Sequence, residues 1–229
     1  MKYRHELKYI ISNKQADLLK LRLKDVLKYD KHYEDGSYRI RSLYLDDFKK
    51  KLLLESLDGL NNRSKYRIRF YNSDQTIINL EKKSTINDLK CKTSVKINKS
   101  DIVYFLKNKI LNGDDLISAE VKANHYYPKT IIEYDRLAFV NEDGNVRITI
   151  DSNINANESV DDFLKEKIYG RPVLPINRKI LEVKYDGILP GYISRILNVE
   201  SLERASYSKY IMSNNVLENN GRIEEVYEY

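Results

Sequence analysis

Lys65-Tyr66-Arg67-Ile68-Arg69-Phe70-Tyr71 alternates without a break: Tyr66, Ile68 and Phe70 lie on one side, Lys65, Arg67 and Arg69 on the other. A period of two marks an extended strand with one buried face. The polar face of this strand is wholly cationic, and two of its members are Arg. The planar guanidinium fork donates paired hydrogen bonds that suit phosphate or carboxylate.

The same alternation recurs on both sides of this stretch. Tyr3, His5, Leu7 and Tyr9 oppose Arg4, Glu6 and Lys8; Ile78 and Leu80 oppose Asn79, Glu81 and Lys83; Val95 and Ile97 oppose Lys92, Ser94 and Lys96. Further on, Val146, Ile148 and Ile150 oppose Arg147, Thr149 and Asp151, and Leu181, Val183 and Tyr185 oppose Glu182 and Lys184. Two segments alternate less cleanly. Residues 38–46 carry Arg39 and Arg41 on a face shared with Leu43 and Leu45, and residues 131–136 mix Ile132 with Tyr134 and Arg136. Any one charged strand face can simply meet water. Six strands whose polar faces are almost wholly charged, mostly cationic with a few Glu, point to convergence.

Helical patterns supply cover for the apolar faces. Ser12-Asn13-Lys14-Gln15 reads as a capping box, followed by Leu18, Leu19, Leu21, Leu23, Val26 and Leu27. A second helix starts at Ser100-Asp101 with Ile102, Val103, Phe105, Leu106 and Ile110, and shorter ones start near Ser159, Pro190 and Leu202. The expected fold is therefore α+β: a closed eight-stranded antiparallel β-barrel, charged within, with helices packed outside. A barrel of that size has room for side chains or one small ligand. Buried like charges need an anion or retained water, and a polyanion with a divalent cation would satisfy the cations and the glutamates together.

The 229 residues suit a single domain spanning 1–229, with the end of the chain from about residue 218 loose. Lys and Arg total 40 against 34 Asp and Glu, an excess that by itself admits nucleic acid, membrane surface or anionic substrate. The lone Cys91 rules out a disulfide framework and a Cys-rich zinc site, and makes the reducing cytoplasm the default. No apolar run approaches the roughly 20 residues that span a bilayer, so the expectation is no direct membrane span; a partner protein would have to bring the chain to a membrane. Nucleic acid is disfavoured because Tyr66 and Phe70 lie opposite the cations, leaving no exposed aromatic-and-basic stacking platform.

Taken in order, Tyr3–Tyr9, Ser42–Asp46, Lys65–Tyr71, Leu80–Lys83, Lys92–Lys96, Tyr134–Phe139, Val146–Asp151, Leu181–Tyr185 and Ser208–Tyr210 resemble the VTC (vacuolar transporter chaperone) domain. That is the catalytic domain of eukaryotic polyphosphate polymerase and its bacterial relatives, within the triphosphate tunnel metalloenzymes. The resemblance implies that Lys8, Arg67, Arg69, Lys83, Lys96, Arg136 and Arg147 hold phosphates. Lys92 shares a strand face with Lys96 and can share that role. By the same resemblance, Glu182 looks like the metal-binding glutamate, for Mn²⁺ or Mg²⁺, and Lys209 resembles a helical lysine near the tunnel mouth. Glu81 and Lys184 share the inward face; an internal ion-pair network is the alternative for Glu6, Glu81 and Lys184.

Related hydrolases and cyclases begin with Glu-x-Glu-x-Lys, whereas this chain has Arg4-x-Glu6-x-Lys8. One carboxylate is gone, which argues against two-metal hydrolysis and for holding a long polyanion. The sensor domain and membrane helices of the eukaryotic proteins are not in this sequence, so translocation of polymer by this chain alone is not expected. The activity implied is transfer of the terminal phosphoryl group of ATP to phosphate or polyphosphate. The alternatives are a metal-dependent inorganic or nucleoside triphosphatase and a non-catalytic polyphosphate-binding module. His5, His32 and His125 read as structural.

Overall fold

The computed structural model describes residues 4–32, 36–87, 89–199, 202, 204 and 208–219, the side chain of Arg4 excepted. Among them are ten strands: β1 (Arg4–Ser12), β2 (Lys28–Tyr29), β3 (Tyr38–Asp46), β4 (Asn62–Tyr71), β5 (Asp74–Ile86), β6 (Leu89–Ile97), β7 (Tyr127–Asn141), β8 (Val146–Asn157), β9 (Arg171–Pro172) and β10 (Arg178–Asp186). Six α-helices accompany them: α1 (Asn13–Lys24), α2 (Lys51–Leu57), α3 (Lys99–Asn108), α4 (Leu116–Ala123), α5 (Gly191–Leu197) and α6 (Lys209–Glu218).

The hydrogen-bonded order is β1-β10-β8-β7-β3-β4-β5-β6, with β2 on β7 and β9 on β8. This is a mixed α+β fold around a large antiparallel sheet. The main path has the expected eight strands, but its terminal members, β1 and β6, are not paired with each other among the described residues. The closed barrel expected from the sequence is thus not among these pairings. β2 and β9 were not foreseen, because two residues carry no readable period.

The chain forms two compact units, each drawn from three segments: residues 1–39, 134–154 and 174–207 make the first, and residues 40–133, 155–173 and 208–229 the second. In the first unit, β1 pairs with β10, and Leu7, Val183, Leu181, Ile148 and Ile150 present the apolar face. Helix α1 covers it with Ala16, Leu19 and Leu23, and α5 adds Ile193. The Ser12 capping box is present as read, with Ser12 Oγ accepting from Gln15 N and Gln15 Oε1 from Ser12 N. The apolar stripe of α1 is narrower than expected, since Leu18 and Leu21 face solvent.

In the second unit, β4, β5 and β6 lie side by side. Tyr66, Ile68, Phe70, Ile78 and Leu80 form the buried side with Ile102, Phe105, Ile117 and Val121 from α3 and α4. The β4–β5 hairpin turns at Asn72-Ser73, both with positive φ, and the register shifts between Arg69 and Tyr71. Two successive left-handed residues match the twist of a tight hairpin. From Arg69 back to Asn62 the register is regular, and it decides which polar residues are neighbours.

Candidate functional site

On the polar side of β3–β6, registers place Ser42, Arg69, Asn79 and Lys96 in one row, and Tyr44, Arg67, Glu81 and Ser94 in the next. The third row is Lys65, Lys83 and Lys92. Glu81 is almost fully buried and draws the cations together. Arg67 Nε and Nη2 approach its Oε2 at 2.7 and 2.6 Å, Arg69 Nη1 stands at 3.9 Å, and Lys92 Nζ lies 2.5 Å from Oε1. Burial alone would raise the Glu81 pKa; the charges of Arg67, Arg69 and Lys92 prevail and hold it down at about 2. Arg69 Nε also donates to Ser42 Oγ at 2.8 Å. One carboxylate therefore serves three cations directly, and Lys65, Lys83 and Lys96 stand in the flanking rows.

Tyr44 closes one side of this face. Its hydroxyl accepts from Arg67 Nη1 at 3.2 Å. Burial would push the phenol up, but Arg67 and Arg69 pull it down to about 8. The ring stacks on Tyr210 of α6, and the Tyr210 hydroxyl donates to the buried Asp46 at 2.9 Å. Ser208 caps α6 and accepts Lys65 Nζ at 2.8 Å. Lys209 is the first residue of that helix and is half-buried.

The first unit carries a second charged cluster with a different balance. Arg136 makes a two-point pair with the fully buried Asp151, Nε to Oδ1 at 2.6 Å and Nη2 to Oδ2 at 2.7 Å, with Glu182 at 3.8 Å. Burial opposes the Arg136 charge, yet Asp151 holds its pKa well above the ordinary guanidinium value. Lys184 Nζ lies 3.0 Å from Glu182 and 4.0 Å from Glu6, and Lys8 Nζ lies 2.9 Å from Glu6. Burial draws the Lys184 ammonium below its usual value, against the pull of Glu182 and Glu6. Arg147 Nη1 meets Asp30 at 2.5 Å, and its Nη2 donates to Tyr38 Oη at 2.9 Å. Here Lys8, Arg136, Arg147 and Lys184 are matched by Glu6, Asp30, Asp151 and Glu182.

Glu182 and Glu6 both reach Lys184, so two hard oxygen donors share one neighbourhood. Among the described residues, no group of three or more His, Cys, Asp or Glu side chains could hold a metal ion. Mg²⁺ sites commonly use one or two carboxylates, water and substrate phosphates, and Mn²⁺ shares the preference for oxygen. The donor set fits an ion that phosphate helps to hold, rather than a caged structural one.

The sequence-expected residues thus fall into two groups. The second unit brings together Arg67, Arg69, Glu81, Lys83, Lys92 and Lys96, with Lys209 on α6. The first brings together Glu6, Lys8, Arg136, Glu182 and Lys184, with Arg147 opposite Lys184 in register. Glu6, Glu81 and Lys184 each make ion pairs with neighbouring side chains. Arg4, at the position where related hydrolases and cyclases have Glu, has its side chain outside the described residues. His5 stacks on Tyr185, consistent with a structural role.

Sequence reading gives no role to Lys65 or Asp151, although each lies on an alternating polar face already identified; Ser42 and Tyr44 lie on the side of β3 opposite Arg39 and Arg41, which the irregular alternation of that strand does not mark as polar. Asp30 could not be found that way, because it follows a two-residue strand. Arg41, placed with Arg39, behaves differently: it is buried, donates to Glu133 at 2.6 Å, and binds the carbonyls of Phe163, Lys165 and Glu166. It holds a turn rather than a ligand.

No helix of the described residues is long and apolar enough to cross a membrane. No curated protein matches the chain in sequence. Among solved structures, a "putative adenylate cyclase" of Bacillus halodurans superposes with a TM-score of 0.56 at 13% identity, covering 90% of this chain and 94% of that one. The PH1819 protein of Pyrococcus horikoshii gives a TM-score of 0.47 at 16% identity, over 93% of this chain and 99% of its own. The first likeness establishes a shared fold. The VTC domain model matches residues 3–218, nearly the whole chain, and this protein belongs to the VTC-domain family.

Proposed function

We propose that this chain is a polyphosphate polymerase-like phosphotransferase, moving the terminal phosphoryl group of ATP onto orthophosphate or a growing polyphosphate. The observation that carries the reading is the cation excess on β4–β6, where Arg67, Arg69 and Lys92 converge on the single carboxylate Glu81 and further lysines flank them. A row of guanidinium and ammonium groups of this kind suits the oxygens of a polyanion.

Phosphoryl transfer asks a protein for position and charge neutralisation more than for covalent help. Arg67 and Arg69 are held in place by Glu81, Tyr44 and Ser42, so their guanidinium groups are already oriented for phosphate. Lys83, Lys92 and Lys96, with Lys209 of α6, are proposed to extend the contact along the polymer within the second unit; Lys8, Arg136, Arg147 and Lys184 are proposed phosphate holders within the first. Glu182, with Glu6 nearby, is the proposed holder of Mn²⁺ or Mg²⁺, which when bound offsets charge on phosphate oxygens. The acceptor is already anionic, so no general base is needed.

The test is purified protein with ATP, Mn²⁺ and a short polyphosphate primer, with products resolved on a polyphosphate-stained gel and orthophosphate measured in parallel. Polymer with little orthophosphate is the expected result. Stoichiometric orthophosphate without polymer identifies a triphosphatase, and tight primer binding with neither product identifies a binding module.

A further inference from the structure

Helix α6 is fastened at both ends and in its first turn. Lys65 holds the Ser208 cap, Lys50 pairs with Glu218, and Arg171 Nη1 donates to the Leu217 carbonyl at 3.2 Å. The first-turn fastening is Tyr210. Its hydroxyl donates to Asp46 Oδ2, and its ring lies 4.8 Å from that of Tyr44, only 8° from parallel.

Both anchors are themselves fixed. Asp46 is fully buried, and its oxygens accept the backbone N–H groups of Asp47, Leu52 and Leu53, capping α2. A carboxylate held by several backbone donors cannot swing away. Tyr44 is held by Arg67 through its hydroxyl. An aliphatic side chain could seat a helix by burial alone; it would supply neither the hydrogen bond nor the stack, which together fix rotation as well as depth.

We infer that Tyr210 is a positioning residue: its bond to Asp46 and its stack on Tyr44 set Ser208 and Lys209 beside the Lys65 and Arg67 rows, so that the helix-borne ammonium and the strand-borne cations act on one anion. This inference rests on reading that face as a polyanion site. It assigns Tyr210 an effect on affinity that is exerted through Lys209.

The experiment is a double-mutant cycle on the full chain, with tripolyphosphate affinity measured by calorimetry without divalent metal and the urea midpoint measured alongside. Tyr210→Phe keeps the ring and the stack but loses the Asp46 bond. It is expected to weaken binding by about tenfold, as is Lys209→Ala. The double variant is expected to bind no more weakly than Lys209→Ala alone, because the effect of Tyr210 passes through Lys209. Additive losses, the mark of a merely structural role, overturn the inference. Wild-type affinity in Tyr210→Phe overturns it too. If Tyr210→Phe does not fold, Asp46→Asn replaces it in the same cycle, with the same non-additivity expected. A wild-type chain that fails to bind tripolyphosphate overturns the polyanion reading itself; binding by wild type with an additive cycle overturns only the positioning role.

Discussion

Arg136 and Asp151 form a two-point ion pair in which both carboxylate oxygens are engaged by one guanidinium and the carboxylate is sealed from solvent. Cutting a buried pair on one side strands the other charge, which costs more than the pair itself contributes. Asp151→Asn is therefore expected to destabilise the protein by about 3–5 kcal/mol, read as a lower urea midpoint with unchanged slope. A midpoint equal to wild type would show that Glu182, 3.8 Å from Arg136, takes over the pairing.

Glu81 predicts a pH dependence with a definite sign. Its folded pKa of about 2 lies below the ordinary 4.5, so its stabilisation is complete above about pH 4.5 and is lost as the pH falls towards 2. A shift of that size corresponds to roughly 3 kcal/mol. Acid unfolding followed by circular dichroism should show this loss in wild type and a flatter profile in Glu81→Gln over the same window. Glu81→Gln also leaves Arg67, Arg69 and Lys92 without their common carboxylate. Added tripolyphosphate should then raise its melting temperature more than that of wild type; an equal rise would place the anion elsewhere.

Arg67 and Arg69 are expected to share the anion. Arg67→Ala and Arg69→Ala should each weaken tripolyphosphate binding by about tenfold or more, from charge-assisted hydrogen bonds of about 1.5–3 kcal/mol apiece. Arg69→Ala should be the less stable of the two, because Arg69 is the more buried and leaves Ser42 Oγ without its donor. Unchanged affinity in both variants would remove the pair from the site.

Glu182→Gln should keep anion binding and lose metal-dependent turnover. Taking a negative charge from beside Lys184 and Arg136 favours a bare anion, so affinity without metal should hold or rise. Metal-dependent activity at the wild-type level would show that another group holds the ion.

Much of this was legible because period two is a strict code. Once Arg67, Arg69, Lys83, Lys92 and Lys96 were assigned to polar faces, register needed only to bring the strands side by side. What alternation cannot show is pairing across loops. Asp30 reaches Arg147 after a strand of two residues, and Arg41 is buried through carbonyls contributed by a turn. Helix α2 escaped notice for a local reason: its N-cap, Lys50, is left-handed and offers no side-chain cap, the role being filled by Asp46 from the preceding strand. Helix α4 was readable and was missed, since Asp115 accepts from Ile117 N and Ser118 N as an ordinary N-cap would.

The buried Arg41 also carries a consequence for the order of synthesis. Its partner Glu133 lies 92 residues downstream, and its carbonyl partners on Phe163, Lys165 and Glu166 lie 122 to 125 residues downstream. At about 5–20 residues per second, the guanidinium leaves the ribosome on the order of ten seconds before Glu133, which neutralises it, and the carbonyls that accept its other N–H groups. Throughout that interval β3 carries a charge it cannot bury alone. Arg41 can be buried as it is in the folded chain only once residues 163–166 have been made, so the packing of β3 waits on a segment more than 120 residues away.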